Sequence, residues 1–139
     1  MEGNIHYTGS VDRLNAEQLS GFFVGWPDGP SPQTHLLLLQ QSSYIELARV
    51  GRYGRVVGFT TAVSDGVICA YIPLLEVLPD YQGRGIGRTL VERMLERLSH
   101  IYMIDLVCDQ DLQGFYQKLG MQTAHAMIIR NFDYQAGRA

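Results

Sequence analysis

Short stretches in which apolar and polar residues alternate predict strands at 4–8, 44–50, 55–63, 101–108 and 124–131, and a further strand leads up to Val77. Elsewhere, apolar residues recur every three or four positions, which is the spacing of one helical face. This spacing is clearest in the segment that starts at Ile86. The resulting order, β-α-α-β-β-β-α-β-α-β, predicts one α/β (α+β) domain over residues 1–139.

Three other helices are indicated by residues that favour helix starts. Asn15 can cap a helix that we expect to end near Val24. Ser31 and Pro32 supply the cap and the first-turn proline of a second helix. The last helix is expected over 111–119.

Composition narrows the class of protein. The chain has 139 residues, of which 46% are hydrophobic, yet no apolar run reaches the roughly 18 residues of a membrane span. Its N-terminus lacks the basic and apolar regions of a signal peptide. The formal net charge is −3 and the arginines are dispersed, which argues against a nucleic-acid partner. We therefore expect a cytoplasmic protein that binds neither membranes nor nucleic acid.

Cysteines and arginines add two expectations. Cys69 and Cys108 lie in apolar, strand-like runs without metal-ligand spacing, which favours buried, reduced thiols and no metal site. Two groups of arginines lie away from the glycine-rich turn described next, and we expect them to face solvent: Arg49, Arg52 and Arg55, and Arg93 and Arg97.

The strand that ends at Val77 runs into a glycine-rich turn, with Gly83, Gly85 and Gly87 just before the predicted helix. The unpaired N–H groups and the dipole of a helix start attract phosphate or pyrophosphate. A dinucleotide fingerprint requires G-x-G-x-x-G, but Arg88 stands where its third glycine would be. A P-loop requires a lysine after its last glycine, and none follows here. The turn therefore predicts a phosphate site of another kind.

The pattern Q-x-x-G-x-G, occupied by Gln82, Gly85 and Gly87, resembles the acetyl-coenzyme A loop of the GNAT N-acetyltransferase superfamily. The preceding V-L-P-D-Y-Q resembles the family's V-x-P-x-[YF]-[QR] strand exit. The segment G-F-Y-Q-K-L-G-M at 114–121 resembles its F-Y-x-x-L-G-[FM] signature, and Tyr116 follows Gly87 by 29 residues. On these segments, the chain resembles small single-domain bacterial members of the family.

The resemblance implies a GNAT fold, with a mostly antiparallel mixed sheet of about six strands, splayed between strands four and five and flanked by four helices. It implies acetyl-coenzyme A as cosubstrate, with its pantetheine arm in that splay, and a primary amine of a small molecule or peptide as acceptor. A main-chain N–H near Val77 would stabilise the oxyanion. The residues implied to contact the cofactor are Leu75, Val77, Gln82, Gly83, Arg84, Gly85, Ile86, Gly87 and Arg88.

The resemblance also implies Tyr116 as the general acid, because a phenol is protonated at neutral pH and can donate to the departing thiolate. The alternative is that Tyr116 is a core aromatic residue. No general base stands out. Glu76, beside the implied thioester, is the first candidate, followed by Asp105, His35 and His125. A water relay without a dedicated base is a further alternative.

Two functions remain open at this stage: an N-acetyltransferase, and a non-catalytic acyl-coenzyme A sensor or interaction protein on the same fold, since a fold does not fix a function. The aromatic and proline-rich stretch from Phe22 to Pro32 is expected to shape the acceptor pocket, although Trp26 is equally well explained as a packing anchor. Dimers formed through sheet edges are common in the family, so the resemblance also allows a homodimer.

Overall fold

The computed structural model describes residues 3–137 of the chain. Within them, five strands form one sheet in chain order. The strands are β1 (Ile5–Thr8), β2 (Tyr44–Val50), β3 (Val56–Ser64), β4 (Cys69–Val77) and β5 (Met103–Asp105). Neighbours from β1 to β4 are antiparallel, whereas β4 and β5 are parallel. The predicted mostly antiparallel mixed sheet is confirmed, with five strands in place of about six.

The described residues contain three α-helices where the sequence predicts four: α1 (Pro32–Gln41), α2 (Ile86–Arg97) and α3 (Gln113–Gln117). Helix α1 begins as predicted, because Ser31 Oγ accepts the N–H of Thr34 at 3.1 Å. The helix predicted at 15–24 is reduced to a 3-10 turn at Ala16–Leu19. It stops there because Gly21 and Phe23 have φ of 91° and 63°, which a right-handed helix excludes.

The largest departure from the sequence prediction lies at residues 122–131, named here the C-terminal segment. The predicted strand at 124–131 pairs with no strand among residues 3–137. Every residue of the segment is exposed. Within the same described range, the main-chain N–H and C=O groups of residues 122–130 make no hydrogen bond with other main-chain groups. Because a strand is defined by a neighbour, the alternating pattern alone produces no strand here.

Both faces of the sheet are covered by helices. Helix α1 packs on one face, where Leu39 joins Leu47 and Phe59 in a buried cluster. Helix α2 covers the other face through its buried residues, which are Ile86, Leu90, Val91 and Met94. It approaches β3 closely at Gly58, where a Cβ atom would lie 3.1 Å from side-chain atoms of Ile86 and Leu90. The absence of a side chain there lets α2 sit directly on the sheet, and so fixes the position of its N-terminus.

Arg49 is less exposed than predicted, and Arg93 and Arg97 make contacts that the sequence does not predict. Arg49 is 1% exposed, and its guanidinium donates to the carbonyls of residues 12, 13, 53 and 54 and to Gln18 Oε1. Arg93 and Arg97 donate to the buried carboxylate of Glu46 at 2.6 and 3.0 Å. The prediction of a solvent-facing charge was wrong for Arg49, whereas Arg93 and Arg97 keep side chains that are 43% and 36% exposed while they donate to an acceptor on another element.

Two further expectations concern the burial of the cysteines and the absence of a membrane-spanning helix. Cys69 and Cys108 are both free thiols and half-buried rather than fully buried. Among the described residues, no helix combines the length and the apolar character required to cross a membrane.

Candidate active site

Strands β4 and β5 are paired only at one end. The pairing joins Cys69–Tyr71 to Met103–Asp105, and beyond it the strands part. The register of β3 against β4 shifts between the pairs formed by Thr61 and Val63, which places a bulge in β4 at the point of parting. Pro73 follows directly, and proline lacks the N–H that would continue a ladder. The bulge and the proline together open the predicted splay.

Strand β4 directs main-chain polar groups into the splay. The N–H of Leu78 donates to Val57 O of β3 at 2.8 Å. Along a strand, the main-chain N–H and C=O groups of successive residues point alternately to the two sides. The N–H and C=O groups of Leu75 and Val77 therefore face away from β3, towards the side that β5 has left. An extended ligand can pair with these groups as an added strand does.

The splay holds a cavity of about 310 Å³, named here the cleft. Leu75 lines it from β4, Leu106 and Cys108 line it from the chain that follows β5, and Tyr116 lines it from α3. Tyr116 is only 8% exposed. Burial is the main cause that raises the pKa of its phenol to about 12, and the nearby Cys108 adds to the effect. Tyr116 therefore keeps its proton throughout the neutral range.

The glycine-rich turn is shaped as a phosphate site requires. Gly83 and Gly85 have φ of 77° and 81°, and a Cβ atom at either would meet nothing within 4 Å, so the backbone is open to a ligand. The first helical hydrogen bond runs from the N–H of Thr89 to Gly85 O. The amides of Ile86, Gly87 and Arg88 precede that bond and lie at the positive end of α2.

The side chains around this turn hold its shape. Gln82 Nε2 donates to Val77 O at 3.0 Å and so ties the turn to the end of β4. Arg84 stacks over Tyr81 at 5.0 Å and donates to the carbonyl of residue 80. Arg88 pairs with Glu92 at 3.4 Å, and both side chains are more than half exposed. Along the chain, both arginines stand within two residues of the open amides.

The carboxylate of Glu76 contacts the loop before α1. It accepts the N–H of Phe23 at 2.9 Å and the N–H of Val24 at 3.2 Å. These contacts join β4 to the loop between the 3-10 turn and α1. Glu76 does not line the cleft, although its neighbour Leu75 does. The structure therefore places Tyr116 and Leu75 around one cavity and Glu76 at the edge of the predicted acceptor region.

The other candidate bases differ in their surroundings. Asp105 and His125 line a second, larger cavity of about 680 Å³ between β5 and the C-terminal segment. His35 is 1% exposed, and neither of its ring nitrogens has a hydrogen-bond partner within the described part of the chain. Burial lowers the pKa of His35 to about 4, so it is a weak base enclosed in the core.

Aromatic rings from other elements surround His35 of α1. The rings of Phe22, Phe23 and Phe59 lie 4.3 to 5.3 Å from its ring. Trp26 packs against Phe23 at 5.0 Å and is 41% exposed. Trp26 thus packs on the core, as its predicted role of packing anchor requires, and the acceptor-pocket role stays a prediction.

One feature of the cleft goes beyond the sequence prediction. Leu106 and Cys108 line it because β5 ends at Asp105 and the following residues turn away from β4. The sequence predicts these residues as part of a longer strand, and only the splay shows that they face a cavity. Among residues 3–137, no three or more His, Cys, Asp or Glu side chains are grouped to hold a metal ion.

Comparisons with known proteins agree with this geometry. Residues 11–121 match the family described as the acetyltransferase (GNAT) family. The chain is 32% identical over 116 residues to the uncharacterized N-acetyltransferase ycf52 of Porphyra purpurea, which covers 81% of this chain and 66% of that relative. It is 31% identical over 115 residues to GCN5-related N-acetyltransferase 1, chloroplastic, of Arabidopsis thaliana, which covers 80% of this chain and 58% of that one.

Among solved structures, a protein from Deinococcus radiodurans R1 matches with a TM-score of 0.94 and 40% identity, covering 100% of this chain and 99% of that one. The chain spans about two thirds or less of the length of the two curated relatives. The matched family region contains the splay, the glycine-rich turn and Tyr116.

Proposed function

Because the chain belongs to the GNAT acetyltransferase family, we propose that it transfers an acetyl group from acetyl-coenzyme A to a primary amine. The observation that carries the proposal is the arrangement around the cleft. Free main-chain groups of β4 and the buried phenol of Tyr116 border one cavity, and the open amides of the glycine-rich turn follow at the end of β4.

The donor site fits the parts of acetyl-coenzyme A. The pyrophosphate binds the amides of residues 83–88, with Arg84 and Arg88 beside it. The pantetheine arm lies in the cleft and pairs with the main chain of Leu75, while the carbonyl of Val77 accepts Gln82 Nε2 and the N–H of Val77 is left for the thioester. Gly83 and Gly85 permit this approach because neither carries a side chain over the turn. The contact role of these residues, together with Gln82, Ile86 and Gly87, is part of the proposal.

The reaction is a direct attack of the amine nitrogen on the acetyl carbon. The N–C bond forms while the carbonyl oxygen becomes an oxyanion, which the N–H of Val77 stabilises. The C–S bond then breaks, and the thiolate takes a proton from the phenol of Tyr116. The amine loses one proton to a base or to water. Tyr116 enters this step protonated, because its pKa is raised to about 12.

We propose that Glu76 positions the acceptor loop. The proton of the amine then leaves through water, and the alternative is that Glu76 itself accepts it as the base. Both carboxylate oxygens already accept main-chain N–H groups of that loop, which spans residues 21–26. The loop presents Trp26 beside the predicted acceptor pocket. Its contact with β4 therefore couples the shape of the acceptor pocket to the strand that holds the thioester.

The acceptor is proposed as a primary amine of a small molecule or of a peptide. A cytoplasmic location is also part of the proposal, and the word chloroplastic in the name of one relative applies to that protein. A non-catalytic acyl-coenzyme A sensor is the competing function, and it predicts binding of acetyl-coenzyme A without turnover.

The test is a panel of polyamines, amino sugars, amino acids and short peptides, each incubated with acetyl-coenzyme A while free thiol release is recorded. We expect thiol release that depends on the amine, with the acetylated amine found by mass spectrometry. Binding of acetyl-coenzyme A without turnover across the panel would favour the sensor. No binding at all would contradict the donor site itself.

The glycine-rich turn can be tested separately by Gly85→Glu. The carboxylate would stand in open space at the anion site, so we expect affinity for coenzyme A to fall by roughly 100-fold or more, through like-charge repulsion. Gly85→Asn is the matched control, because asparagine tolerates positive φ and adds no charge. Isothermal titration calorimetry gives both affinities. Equal affinity of the two variants would place the pyrophosphate elsewhere.

A further inference from the structure

A thiol borders the cleft where the cleft meets the larger cavity. The chain has two cysteines, and both are free and half-buried. Cys108 lines the cleft and also the larger cavity, whereas Cys69 lines neither of the two. Cys69 lies instead in β4, where it pairs with Met103 of β5. Of two thiols in the same class of burial, only Cys108 therefore faces these spaces, which a ligand can enter.

The hydroxyl of Tyr116 indicates that this space holds a ligand. Tyr116 is 8% exposed and lines both cavities, yet its hydroxyl makes no hydrogen bond to any of residues 3–137. Buried polar groups in folded proteins almost always have a partner, so the partner of this hydroxyl is a group of a bound molecule. Besides burial, the nearby Cys108 raises the pKa of the phenol. A group that Tyr116 holds therefore lies near the thiol of Cys108 as well.

The two cavities together can hold a disulfide of two coenzyme A molecules. If the donor site is as proposed, one half lies in the cleft with its sulfur beside Tyr116. The larger cavity of about 680 Å³ adjoins the cleft, since Leu106, Cys108 and Tyr116 line both. The second half can therefore leave by way of the larger cavity while the first half stays bound.

We propose that Cys108 is a modification site, at which coenzyme A disulfide leaves one coenzyme A attached to the protein as a mixed disulfide. The proposal rests on the proposed function, because it needs the coenzyme sulfur beside Tyr116. The thiolate of Cys108 attacks the sulfur of the half in the cleft. A new S–S bond forms and the original S–S bond breaks. The electron pair leaves on the second coenzyme sulfur, which takes up the proton that Cys108 has lost.

The exchange needs no further oxidant, because Cys108 is oxidised while one coenzyme A is reduced. The attached half fills the cleft, so acetyl-coenzyme A cannot enter and transfer stops. A reducing thiol attacks the mixed disulfide and frees both Cys108 and the coenzyme. The modification is thus a reversible block of the donor site by the oxidised form of its own cosubstrate.

The test treats the reduced chain with coenzyme A disulfide and follows the modification by intact-mass spectrometry and peptide mapping. We expect one coenzyme A per chain, on the peptide that contains Cys108. The rate should saturate with the disulfide concentration and fall when acetyl-coenzyme A is added, and dithiothreitol should reverse the modification. Cys108→Ser should not be modified. Cys69→Ser is the matched control, and it should be modified as the parent protein is.

Cystamine provides a second control, because it carries a disulfide without the nucleotide. We expect it to modify Cys108 roughly 100-fold more slowly than coenzyme A disulfide at the same concentration, since only the latter is held at the site. Gly85→Glu should slow the reaction of coenzyme A disulfide towards that of cystamine, because the substitution acts on the anion site. Equal rates of the two disulfides in the parent protein, or modification of Cys69 as fast as of Cys108, would overturn the proposal.

Calorimetry with coenzyme A in the presence of a reductant distinguishes this proposal from the proposed function. If reduced coenzyme A binds but its disulfide does not modify Cys108, the modification site is wrong and the donor site stands. If coenzyme A does not bind at all, the donor site itself is contradicted, and the modification site with it.

Discussion

The phenol of Tyr116 gives the sharpest prediction for a single residue. We expect Tyr116→Phe to lower kcat by about 100-fold, the lower end of the range for general acids, because a thiolate already leaves readily. The KM for acetyl-coenzyme A should change little. Since the pKa of Tyr116 is raised to about 12, its ionisation should cause no loss of activity between pH 7 and 10. Steady-state kinetics across that range provide the check.

Tyr102→Phe is the control for this substitution, because Tyr102 is 84% exposed and outside the cleft. It should leave kcat unchanged. If Tyr116→Phe turned over a good acceptor as fast as the parent protein, Tyr116 would be a core aromatic residue and not the acid.

The substitution Glu76→Gln distinguishes two roles for Glu76, positioning of the acceptor loop and general base. Glutamine keeps one acceptor oxygen, but its NH₂ group would face a main-chain N–H of the acceptor loop. An unpaired buried donor costs about 1–3 kcal/mol and a partly exposed one costs less, so we expect KM for the amine to rise by at most roughly 10-fold, with the pH dependence of kcat retained. A base would instead show a loss of kcat of roughly 100-fold or more and a changed acidic limb. Glu96→Gln, on the exposed face of α2, is the control.

At the level of elements, the ion pairs of Glu46 fasten α2 to β2. Glu46 is 1% exposed and accepts from Arg93 and Arg97, whose side chains are 43% and 36% exposed. We expect Glu46→Gln to lower the free energy of unfolding by about 2 kcal/mol, less than for a fully buried pair because water screens the arginines. Urea denaturation of the variant and the parent protein measures the difference.

The matched control for Glu46 lies on the same helix. Glu92 pairs with Arg88 at 3.4 Å with both side chains more than half exposed, and such surface pairs contribute about 0–1 kcal/mol. Glu92→Gln should therefore change stability little. Equal effects of the two substitutions would mean that the Glu46 contacts do not fasten α2.

Elements with strong local signals could be predicted from the sequence. Ser31 and Pro32 mark the start of α1, and the apolar spacing after Ile86 marks α2, because caps and helical periodicity act within a few residues. The helix expected at 15–24 failed because Gly21 and Phe23 turn the chain back towards Glu76. That turn depends on an acceptor 53 residues away along the chain.

Features that depend on a distant neighbour could not be predicted. Helical periodicity places Arg93 and Arg97 outside the apolar face, but it does not show that Glu46 lies within their reach. Alternation at 124–131 indicates an extended segment, but it does not supply the strand that would pair with it. For the candidate site, the sequence motifs indicate Tyr116 and the glycine-rich turn, whereas the contacts of Glu76 and the place of Cys108 emerge only from the packed fold.

At the scale of the whole molecule, the candidate active site lies where β4 and β5 cease to pair. The bulge and Pro73 end the pairing of β4 with β5. The same opening exposes the edge of β5 and the C-terminal segment. The proposed donor binding thus depends on this opening, and stability depends on the core behind it.

That core contains an acid-sensitive group, His35, which is buried among Phe22, Phe23 and Phe59. Burial lowers its pKa from 6.5 to about 4. Between these values the unfolded chain binds a proton that the folded chain does not. The contribution of His35 to the free energy of unfolding is therefore fully present above pH 6.5 and is lost as the pH drops towards 4.

We expect the free energy of unfolding of the parent protein to fall by roughly 2 kcal/mol more than that of His35→Leu between pH 7 and 4.5, measured by urea denaturation. His100→Leu, at an exposed position, should behave as the parent protein does. If His35→Leu showed the same acid dependence as the parent, other groups would account for it, and His35 would already be protonated or solvated in the folded state.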